Sequence, residues 1–261
     1  MPPAHQAPRD SLAIFQLEGR EYGPFPLRVC REKVDEFVDV TGDERSRWTS
    51  HAPPGWAAAL LFVAAPHFLS DPALSDITRS VIHGEQKFRW AAPIPIEEEL
   101  SVRGTVTKAR ERGGVWFVTF DLDAGPVRGT SIFLMSSARP PAGATEESTE
   151  LNPAEKDPGE FSASRADLIR YAAATRDWNS IHWDHKAAVE AGLGGIVVHG
   201  LLQAAWVLRR FERVAEARFR FRAPLPVGKA AQFEQKAEDS QVTARLSRDG
   251  QELVLANLLL A

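Results

Sequence analysis

Apolar residues recur at a helical spacing in two widely separated segments of the chain. These are REKVDEFVDVTGD, from Arg31, and SRADLIRYAAATRD, from Ser164, in which apolar residues return every three or four positions. Ser164 and Asp167 have the spacing of a capping box at a helix N-terminus. Each segment is followed by a more apolar helical stretch, GWAAALLFVAAP from Gly55 and GLLQAAWVLRRF from Gly200. An amphipathic helix followed by an apolar helix is therefore predicted twice.

The apolar stretches are followed by segments in which apolar and polar residues alternate, as they do in half-buried strands. Examples are VWFVTFDLD from Val115 and QVTARLSRDG from Gln241. A sequence repeat supports the same division, since FRWAAPIPIEEEL from Phe88 and FRFRAPLPVGKAA from Phe219 share aromatic, arginine, proline and aliphatic positions in register. The chain is therefore predicted to build one α+β unit twice, with strands that wrap an apolar helix in each.

The segment PPAGATEESTELNPAEKDPGEF separates the two units. It is rich in proline, glycine and acidic residues, and its few apolar residues have no period, which is typical of a linker. We therefore predict an N-terminal half over residues 1–140, a linker over 141–160 and a C-terminal half over 161–261.

Composition and charge narrow the possible functions. With 261 residues and 44% hydrophobic content the chain can bury sizeable cores, and its formal net charge of -4 gives no general attraction for nucleic acids or anionic membranes. The single cysteine, Cys30, cannot form an intrachain disulfide or a thiolate zinc cluster. The N-terminus lacks a basic start before an apolar run, and no segment approaches the ~20 apolar residues of a membrane span. We expect a cytoplasmic protein without nucleic-acid or membrane partners.

The densest group of reactive side chains lies in TRDWNSIHWDHKAAVEAGLGGIVVHGLL. It contains Asp177, Asn179 and His182, and further on His199 followed by Gly200. Asp177 and His182 are five residues apart, a spacing that fits one face of neither a helix nor a strand, so a turn must bring them together. Because Asn and Ser side chains favour turns, we predict a loop that follows the end of a helix.

This loop and the repeat resemble the MaoC-like hydratase and dehydratase family, whose members carry an Asp-x-Asn-x-x-His loop followed by His-Gly. The tandem arrangement resembles the members with two hotdog folds in one chain, in which a first half related to the fatty-acid-synthase-type dehydratase domain lacks catalytic residues. HGEQKFRWAAPIP, from His83, is similar to that first half. The resemblance implies a double hotdog fold whose halves pack as a pseudo-dimer with one site per chain, and it allows a further homodimer.

The resemblance also implies a hydro-lyase activity, the reversible dehydration of (R)-3-hydroxyacyl thioesters to trans-2-enoyl thioesters. Dehydration needs a base for the α-proton, an acid for the departing hydroxyl and a hydrogen-bond donor to the thioester oxygen. Asp177 and His182 are the candidate catalytic pair, and which is the acid stays open. Asn179 and Gly200 are the candidate substrate-binding residues. Gly200 offers a backbone N–H at a helix start, and the resemblance implies that it donates to the thioester oxygen and that Asn179 positions the pair or the water. No metal or organic cofactor is expected.

The expected substrate is a thioester of coenzyme A or of an acyl carrier protein, and the sequence leaves this choice, the acyl chain length and the pathway open. Two other functions are alternatives. An acyl thioesterase with the same fold would release a free thiol, and a noncatalytic hotdog protein would bind acyl chains or serve as the partner subunit of a dehydratase.

The first half lacks this chemistry in the corresponding loop. TGDERSRW has Asp43 at the position of Asp177, but Arg45 replaces the asparagine and Trp48 replaces the histidine. The short TSHAPP also stands where the second half has WDHKAAVEAGLGGIVV. We therefore predict a catalytically inactive first half, in which Asp43 serves a turn or a helix end. Its longer HFLSDPALSDITRSVI segment is predicted to help shape an acyl pocket.

Two further histidines are interpreted as structural residues. His199 has apolar neighbours, so we expect a buried side chain that is hydrogen-bonded to the backbone rather than a third catalytic group. His83 is expected to precede a strand and to have a surface or packing role. The basic run VLRRFERVAEARFRFR fits a solvated face better than a site for the phosphates of coenzyme A or the phosphopantetheine arm of a carrier protein.

Overall fold

The computed structural model describes residues 14–75, 80–136 and 159–261. Its α-helices are α1 (Arg31–Thr41), α2 (Ala57–Leu69), α3 (Pro72–Ser75), α4 (Arg165–Thr175), α5 (His185–Glu190) and α6 (Gly200–Leu208), and its 3-10 helices are Arg45–Arg47, Pro54–Trp56 and Ser180–His182. None of the helices in these ranges is long and apolar enough to cross a bilayer. Most of the predicted linker lies outside the described residues, so the boundaries at 140 and 160 stay predictions.

The strands are β1 (Glu21–Arg28), β2 (His51–Ala52), β3 (Ser80–Trp90), β4 (Ile94–Pro95), β5 (Glu99–Arg112), β6 (Val115–Asp123), β7 (Val127–Ser136), β8 (Glu160–Phe161), β9 (Val214–Phe221), β10 (Ala231–Glu238), β11 (Gln241–Arg248) and β12 (Gln251–Leu260). Ten of them form one sheet in the order β1-β5-β6-β7-β3-β9-β12-β11-β10-β8, and β2 pairs with β4. Neighbouring strands are antiparallel throughout.

The two halves join at the centre of the large sheet, where β3 pairs with β9. Lys87 lies opposite Arg218, and Gln86 lies opposite Phe219. In the sequence repeat Phe88 corresponds to Phe219 and therefore Lys87 to Arg218, so the central pair joins residues that hold the same place in each half. This register places a pseudo-twofold axis at the middle of the sheet. The predicted pseudo-dimer is confirmed, and its two halves share one continuous sheet.

The apolar helices form the core, as the hydrophobic pattern predicted. In α6 every residue from Leu201 to Leu208 is buried, and α2 buries most of its length. Helix α2 packs against β1 and β5, and α6 packs against β12, so each half wraps its sheet around its own helix. A large side chain such as Phe68 or Trp206 contributes roughly 1.5–3 kcal/mol when it is fully buried in this way.

The amphipathic helices α1 and α4 pack against each other and end in the same way. In the last turn of α1, the Thr41 hydroxyl donates to the Phe37 carbonyl at 2.9 Å, and in the last turn of α4 the Thr175 hydroxyl donates to the Tyr171 carbonyl at 2.7 Å. These matching bonds identify the two helices as counterparts, with Phe37 at the position of Tyr171. Helix α4 also begins with the predicted capping box at Ser164.

Candidate active site

The loop after α4 turns the chain sharply inward. Arg176 adopts a left-handed conformation with φ of 68°, and its N–H donates to the Ala172 carbonyl at 2.7 Å. This bond ends the helix, and the next side chain, Asp177, is only 6% exposed. The predicted loop at the end of a helix is therefore present, and it begins with the predicted catalytic carboxyl group.

Asn179 shapes the turn between the two predicted catalytic residues. Its backbone N–H donates to Asp177 Oδ1 at 3.4 Å, and its side-chain oxygen accepts a hydrogen bond of 3.4 Å from the Ile181 N–H. The second bond caps the 3-10 helix Ser180–His182, at whose end His182 is buried. Asn179 thus links Asp177 to the element that holds His182.

The imidazole of His182 is held by the backbone in one tautomer. Its Nδ1 lies 2.8 Å from the Val197 carbonyl oxygen, and because a carbonyl only accepts, Nδ1 carries the proton and Nε2 has the free lone pair. Burial disfavours the charged ring and lowers the pKa of His182 to about 4, although the bond to Val197 opposes this shift. His182 is therefore a neutral base near neutral pH.

Asp177 has the opposite shift. Burial raises the pKa of its carboxyl group from 3.8 to about 7, against a small lowering by the Asn179 N–H. Such a group carries its proton in a substantial part of the molecules near neutral pH, so it can act as a proton donor there. A neutral base and a protonated acid therefore lie in the same loop.

His199 is fully buried and contacts both members of this pair. Its ring stacks on the ring of His182, with centroids 3.8 Å apart. Its Nε2 lies 3.2 Å from the Asp177 carbonyl oxygen and must donate to it, which fixes the proton on Nε2. The expected bond to the backbone is present at this nitrogen. The other nitrogen, Nδ1, has no hydrogen-bond partner among the described residues.

Asp177, His182 and His199 form a tight cluster, in which one donor atom of each lies within 4.8 Å of the other two. Carboxylate and imidazole groups are ligands of Zn²⁺, so these are the residues that could hold a metal ion. The same cluster also suits proton transfer, because the shifted pKa values leave one proton on the carboxyl group and a lone pair on the imidazole.

Gly200 begins helix α6 directly after His199. The N–H of the first helical residue has no acceptor within its own helix, and the helix dipole favours negative charge beside it. A Cβ atom at this position would lie 3.1 Å from the Phe221 ring. A side chain at this position would therefore press against Phe221, which favours glycine, and the role of the Gly200 N–H as an oxyanion donor stays a prediction.

The corresponding loop of the first half has no such chemistry. Trp48 Nε1 donates to Asp43 Oδ2 at 2.9 Å, and Arg47 Nη1 donates to Asp43 Oδ1 at 2.7 Å. Arg45, at the position of Asn179, is turned away to Asp39 with an Nε to Oδ1 distance of 2.7 Å. Both oxygens of Asp43 are thus held by fixed donors, which agrees with its predicted structural role.

His83 lies inside β3, so the expectation that it precedes a strand was wrong. The strand continues past it because the register with β7 shifts between His83 and Glu85, which absorbs Gly84 as a bulge. The His83 ring stacks on Phe133 at 4.8 Å and lies 5.2 Å from Phe221. These contacts match the predicted packing role.

The basic run departs from a purely solvated face at Arg209. This side chain donates to the carbonyls of Thr41 at 2.8 Å and Gly42 at 2.6 Å, at the C-terminal end of α1, and lies over the Phe161 ring at 4.5 Å. Burial lowers its pKa. The carbonyls at a helix end need donors, and Arg209 supplies one from the other half of the molecule.

Two buried polar side chains beside His199 were not predicted. The Tyr171 ring lies 4.9 Å from the His199 ring, and Gln203 is 2% exposed on the first turn of α6. A glutamine inside the apolar stretch GLLQAAWVL was the signal that could have revealed Gln203. Tyr171 gave no such signal, because a tyrosine on an amphipathic helix is common.

Two family models match the chain, one in each half. The FAS1-like dehydratase domain region matches residues 16–133, and the MaoC like domain matches residues 146–254, which include the whole Asp177–Gly200 segment. The chain combines a FAS1-like dehydratase region with a MaoC-like domain. The two matches support hydratase or dehydratase activity in general. The order of the two matches confirms the predicted combination of a fatty-acid-synthase-type first half with a MaoC-like second half.

Relatives in actinobacteria match shorter parts of the chain. A UPF0336 protein of Streptomyces coelicolor is 32% identical over 111 residues, which are 38% of this chain and 74% of the relative. A UPF0336 protein of Thermobifida fusca is 28% identical over 127 residues, which are 44% of this chain and 84% of the relative. Each alignment covers less than half of this chain, in agreement with a tandem of two units.

Solved structures match nearly the whole chain. HtdX of Mycobacterium tuberculosis has a TM-score of 0.73 at 20% identity and covers 93% of this chain and 100% of its own. A MaoC-like dehydratase from Phytophthora capsici has a TM-score of 0.70 at 18% identity, with 94% and 96% covered. A Mycobacterium tuberculosis protein with a double hotdog fold has a TM-score of 0.58 at 10% identity, with 93% and 96% covered. The predicted double hotdog fold is confirmed.

Proposed function

We propose that this protein catalyses the reversible dehydration of (R)-3-hydroxyacyl thioesters to trans-2-enoyl thioesters, with Asp177 and His182 as its catalytic residues. The observation that carries the proposal is the pairing of opposite pKa shifts in one buried cluster. The carboxyl group keeps its proton to about pH 7, and the imidazole stays neutral down to about pH 4. Such a pair provides an acid and a base together, which an elimination of water requires.

His182 acts as the base in the dehydration direction. Its Nε2 lone pair takes the proton from C2 of the 3-hydroxyacyl thioester, a proton that the neighbouring thioester carbonyl makes acidic. The bond from Nδ1 to Val197 supports this role, because it fixes the tautomer and can strengthen as the ring becomes positively charged.

Asp177 acts as the acid. It gives its proton to the C3 hydroxyl, the C3–O bond breaks, and the electrons of the broken C2–H bond form the C2–C3 double bond as water leaves. The pair then consists of a carboxylate and an imidazolium, and transfer of one proton from His182 to Asp177 restores it. Hydration of the enoyl thioester follows the same steps in reverse.

Gly200 and Asn179 support this step. Negative charge develops on the thioester oxygen as the C2 proton leaves, and the N–H of Gly200 at the helix start is the proposed donor to that oxygen. Asn179 holds the turn between the acid and the base through its two hydrogen bonds. Both residues belong to the second half, and the loop of the first half is closed by Trp48 and Arg47. One site per chain is therefore proposed.

The deciding experiment is a hydration assay with trans-2-enoyl thioesters of several chain lengths, each offered on coenzyme A and on an acyl carrier protein. Loss of the enoyl thioester absorbance, with an (R)-3-hydroxyacyl product, is expected for at least one substrate and not for His182→Ala. Free thiol is measured in the same reactions. Thiol release without hydration would indicate the thioesterase alternative. Substrate binding without either reaction would indicate a noncatalytic acyl-binding protein.

A further inference from the structure

Three buried polar atoms near His199 have no hydrogen-bond partner among the described residues. They are the Tyr171 hydroxyl, His199 Nδ1 and Gln203 Oε1, on side chains that are 0%, 0% and 2% exposed. In the described part of the second half, no other buried side-chain nitrogen or oxygen lacks a hydrogen-bond partner. Native proteins pair almost all buried polar groups, since an unpaired one lowers stability. Three around one histidine therefore indicate a common ligand.

The three groups are close together in the fold. The rings of Tyr171 and His199 have centroids 4.9 Å apart. Gln203 lies on the first turn of α6, and its backbone N–H donates to the His199 carbonyl at 3.2 Å. Because helical side chains lean toward the helix N-terminus, Gln203 is placed to reach the end of α6 at which His199 lies. The Tyr171 ring borders the imidazole, and Gln203 belongs to the turn that follows it.

His199 connects this group to the catalytic pair. Its ring stacks on His182 at 3.8 Å, and its Nε2 donates to the Asp177 carbonyl oxygen at 3.2 Å. With the proton on Nε2, its Nδ1 offers a lone pair that can only accept. Whatever binds Nδ1 fixes the orientation of a ring that touches both the base and the backbone of the acid.

The pseudo-symmetry of the fold provides an internal comparison. Pro95 and Pro226 are counterparts in the sequence repeat; Pro95 pairs with His51, and Pro226 forms a bridge with Val197. His51 is therefore the counterpart of Val197. Counting forward from this pair, the first half has Pro53 at the position of His199.

The same count places Ala57 at the position of Gln203, and the matching ends of α1 and α4 place Phe37 at that of Tyr171. All three polar residues of the catalytic half thus have apolar counterparts in the half whose loop has lost its histidine. A purely architectural need of the hotdog fold would apply to both halves. The polar group accompanies the catalytic loop instead.

We propose that Tyr171, His199 and Gln203 bind one buried water molecule and are positioning residues for Asp177 and His182. A water has two donors, which serve His199 Nδ1 and Gln203 Oε1, and it accepts the hydroxyl of Tyr171. All three unpartnered atoms are satisfied by this one ligand. The effect on catalysis rests on the proposed hydration of enoyl thioesters. The presence of the water molecule does not depend on that proposed function.

The kinetic test uses Tyr171→Phe and Gln203→Leu, which remove one partner of the water each. Each is expected to lower kcat about tenfold and to leave KM within about twofold, since a misplaced pair impairs the reaction and not substrate binding. Tyr22→Phe is the matched control, because the Tyr22 hydroxyl donates to Asp71 Oδ2 at 2.8 Å in the first half. It should lower the melting temperature and leave kcat unchanged.

The double variant distinguishes a shared ligand from two separate effects. If one water joins the residues, Tyr171→Phe with Gln203→Leu should lose about as much kcat as the more impaired single variant. Single variants with the kcat of the wild type, or losses that multiply in the double variant, would overturn the proposal. A loss of kcat that is fully explained by a smaller folded fraction of the variant would also overturn the proposal.

A crystal structure of the wild type tests the water without any assay. Density for one water within about 3.2 Å of Tyr171 Oη, His199 Nδ1 and Gln203 Oε1 is expected, and it should be lost or displaced in Tyr171→Phe. No density there in the wild type would overturn the inference even for an active hydratase. An ordered water in a protein that hydrates no enoyl thioester would instead refute the proposed function and leave the water site standing.

Discussion

The indole N–H of Trp48 donates a 2.9 Å hydrogen bond to Oδ2 of Asp43, at the positions that His182 and Asp177 occupy in the second half. In the second half the corresponding groups are also close together, since one ligand atom of Asp177 and one of His182 lie within 4.8 Å of one another. An indole N–H donates only and does not titrate near neutral pH, whereas an imidazole can gain and lose a proton. The loop of the first half therefore pairs an aromatic ring with an aspartate but lacks a ring that can transfer a proton.

Asp43→Asn is expected to lower stability and to leave the reaction intact. The amide keeps an oxygen for Trp48 but loses the charge that pairs with Arg47 at 2.7 Å, and the Asp43 side chain is only 3% exposed. Loss of such a partly buried, charged bond costs roughly 1–3 kcal/mol. Urea midpoints measure the stability, and single-turnover rates at saturating substrate measure the chemistry. A collapse of the rate at an unchanged midpoint would show that the two halves build the site together.

Asp177→Asn and His182→Ala are each expected to lower turnover by about 10²–10⁴, the usual effect of a positioned acid or base. Asp43→Asn is the matched control, because it makes the same change at the counterpart position. The loss in the double variant should be smaller than the product of the single losses, since the two groups act as a unit. A single variant with wild-type turnover, measured by enoyl thioester hydration, would remove that residue from the mechanism.

The pH dependence of kcat/KM should follow the number of protons on the pair. The proposed mechanism requires one proton on the pair, so activity should fall below about pH 4, where His182 gains a second proton, and above about pH 7, where Asp177 loses its own. Hydration and dehydration should share this profile, because each starts from a pair that holds one proton. If the rate of hydration or of dehydration instead rises as the pH increases through 7, the active state would be the Asp177 carboxylate beside a neutral His182.

Asp177 should also make the fold less stable at higher pH. Its pKa is raised in the folded protein from 3.8 to about 7, so the folded state binds the proton more tightly, and stability is lost as the pH rises through this window. Asp177→Asn has no charge to bury and should therefore melt at a higher temperature than the wild type at pH 8. The difference should shrink as the pH falls toward 4. A difference that stays constant across this range would show that the buried carboxyl group does not titrate there.

The sequence predicted the elements whose signal is local. Strand β6 covers the alternating segment from Val115 to Asp123, and the repeat at Phe88 and Phe219 predicted the tandem fold. The spacing of Asp177 and His182 required a turn, which Arg176 supplies. These features depend on the period of apolar residues, on capping and on turn chemistry, which are properties of short segments.

Features that depend on contacts between segments far apart in the chain escaped prediction. The bonds of Arg209 to the end of α1 join residues far apart in the chain, and the run of arginines around it gave no sign of them. The position of Tyr171 beside His199 likewise depends on how α4 lies against the segment before α6, 28 residues further along the chain. The shifts in the pKa values of Asp177 and His182 come mainly from burial, which the folded core alone provides.

Gly200→Ala is expected to lower kcat/KM by about tenfold or more, although the donor N–H is kept, because in the proposed mechanism the thioester oxygen approaches the helix start at this residue and an added methyl group would obstruct it. Stability should change little, since alanine is a better helix residue than glycine.

The added Cβ lies 3.1 Å from the Phe221 ring, however, and displacement of that ring would be a second cause of lost activity. Phe221→Leu combined with Gly200→Ala separates the two causes, with Phe221→Leu alone as the control. Activity that stays low in the combined variant, relative to the control, supports a role of Gly200 at the thioester oxygen. Activity that returns to the level of the control would assign the loss to the packing of Phe221 and remove Gly200 from the proposed mechanism.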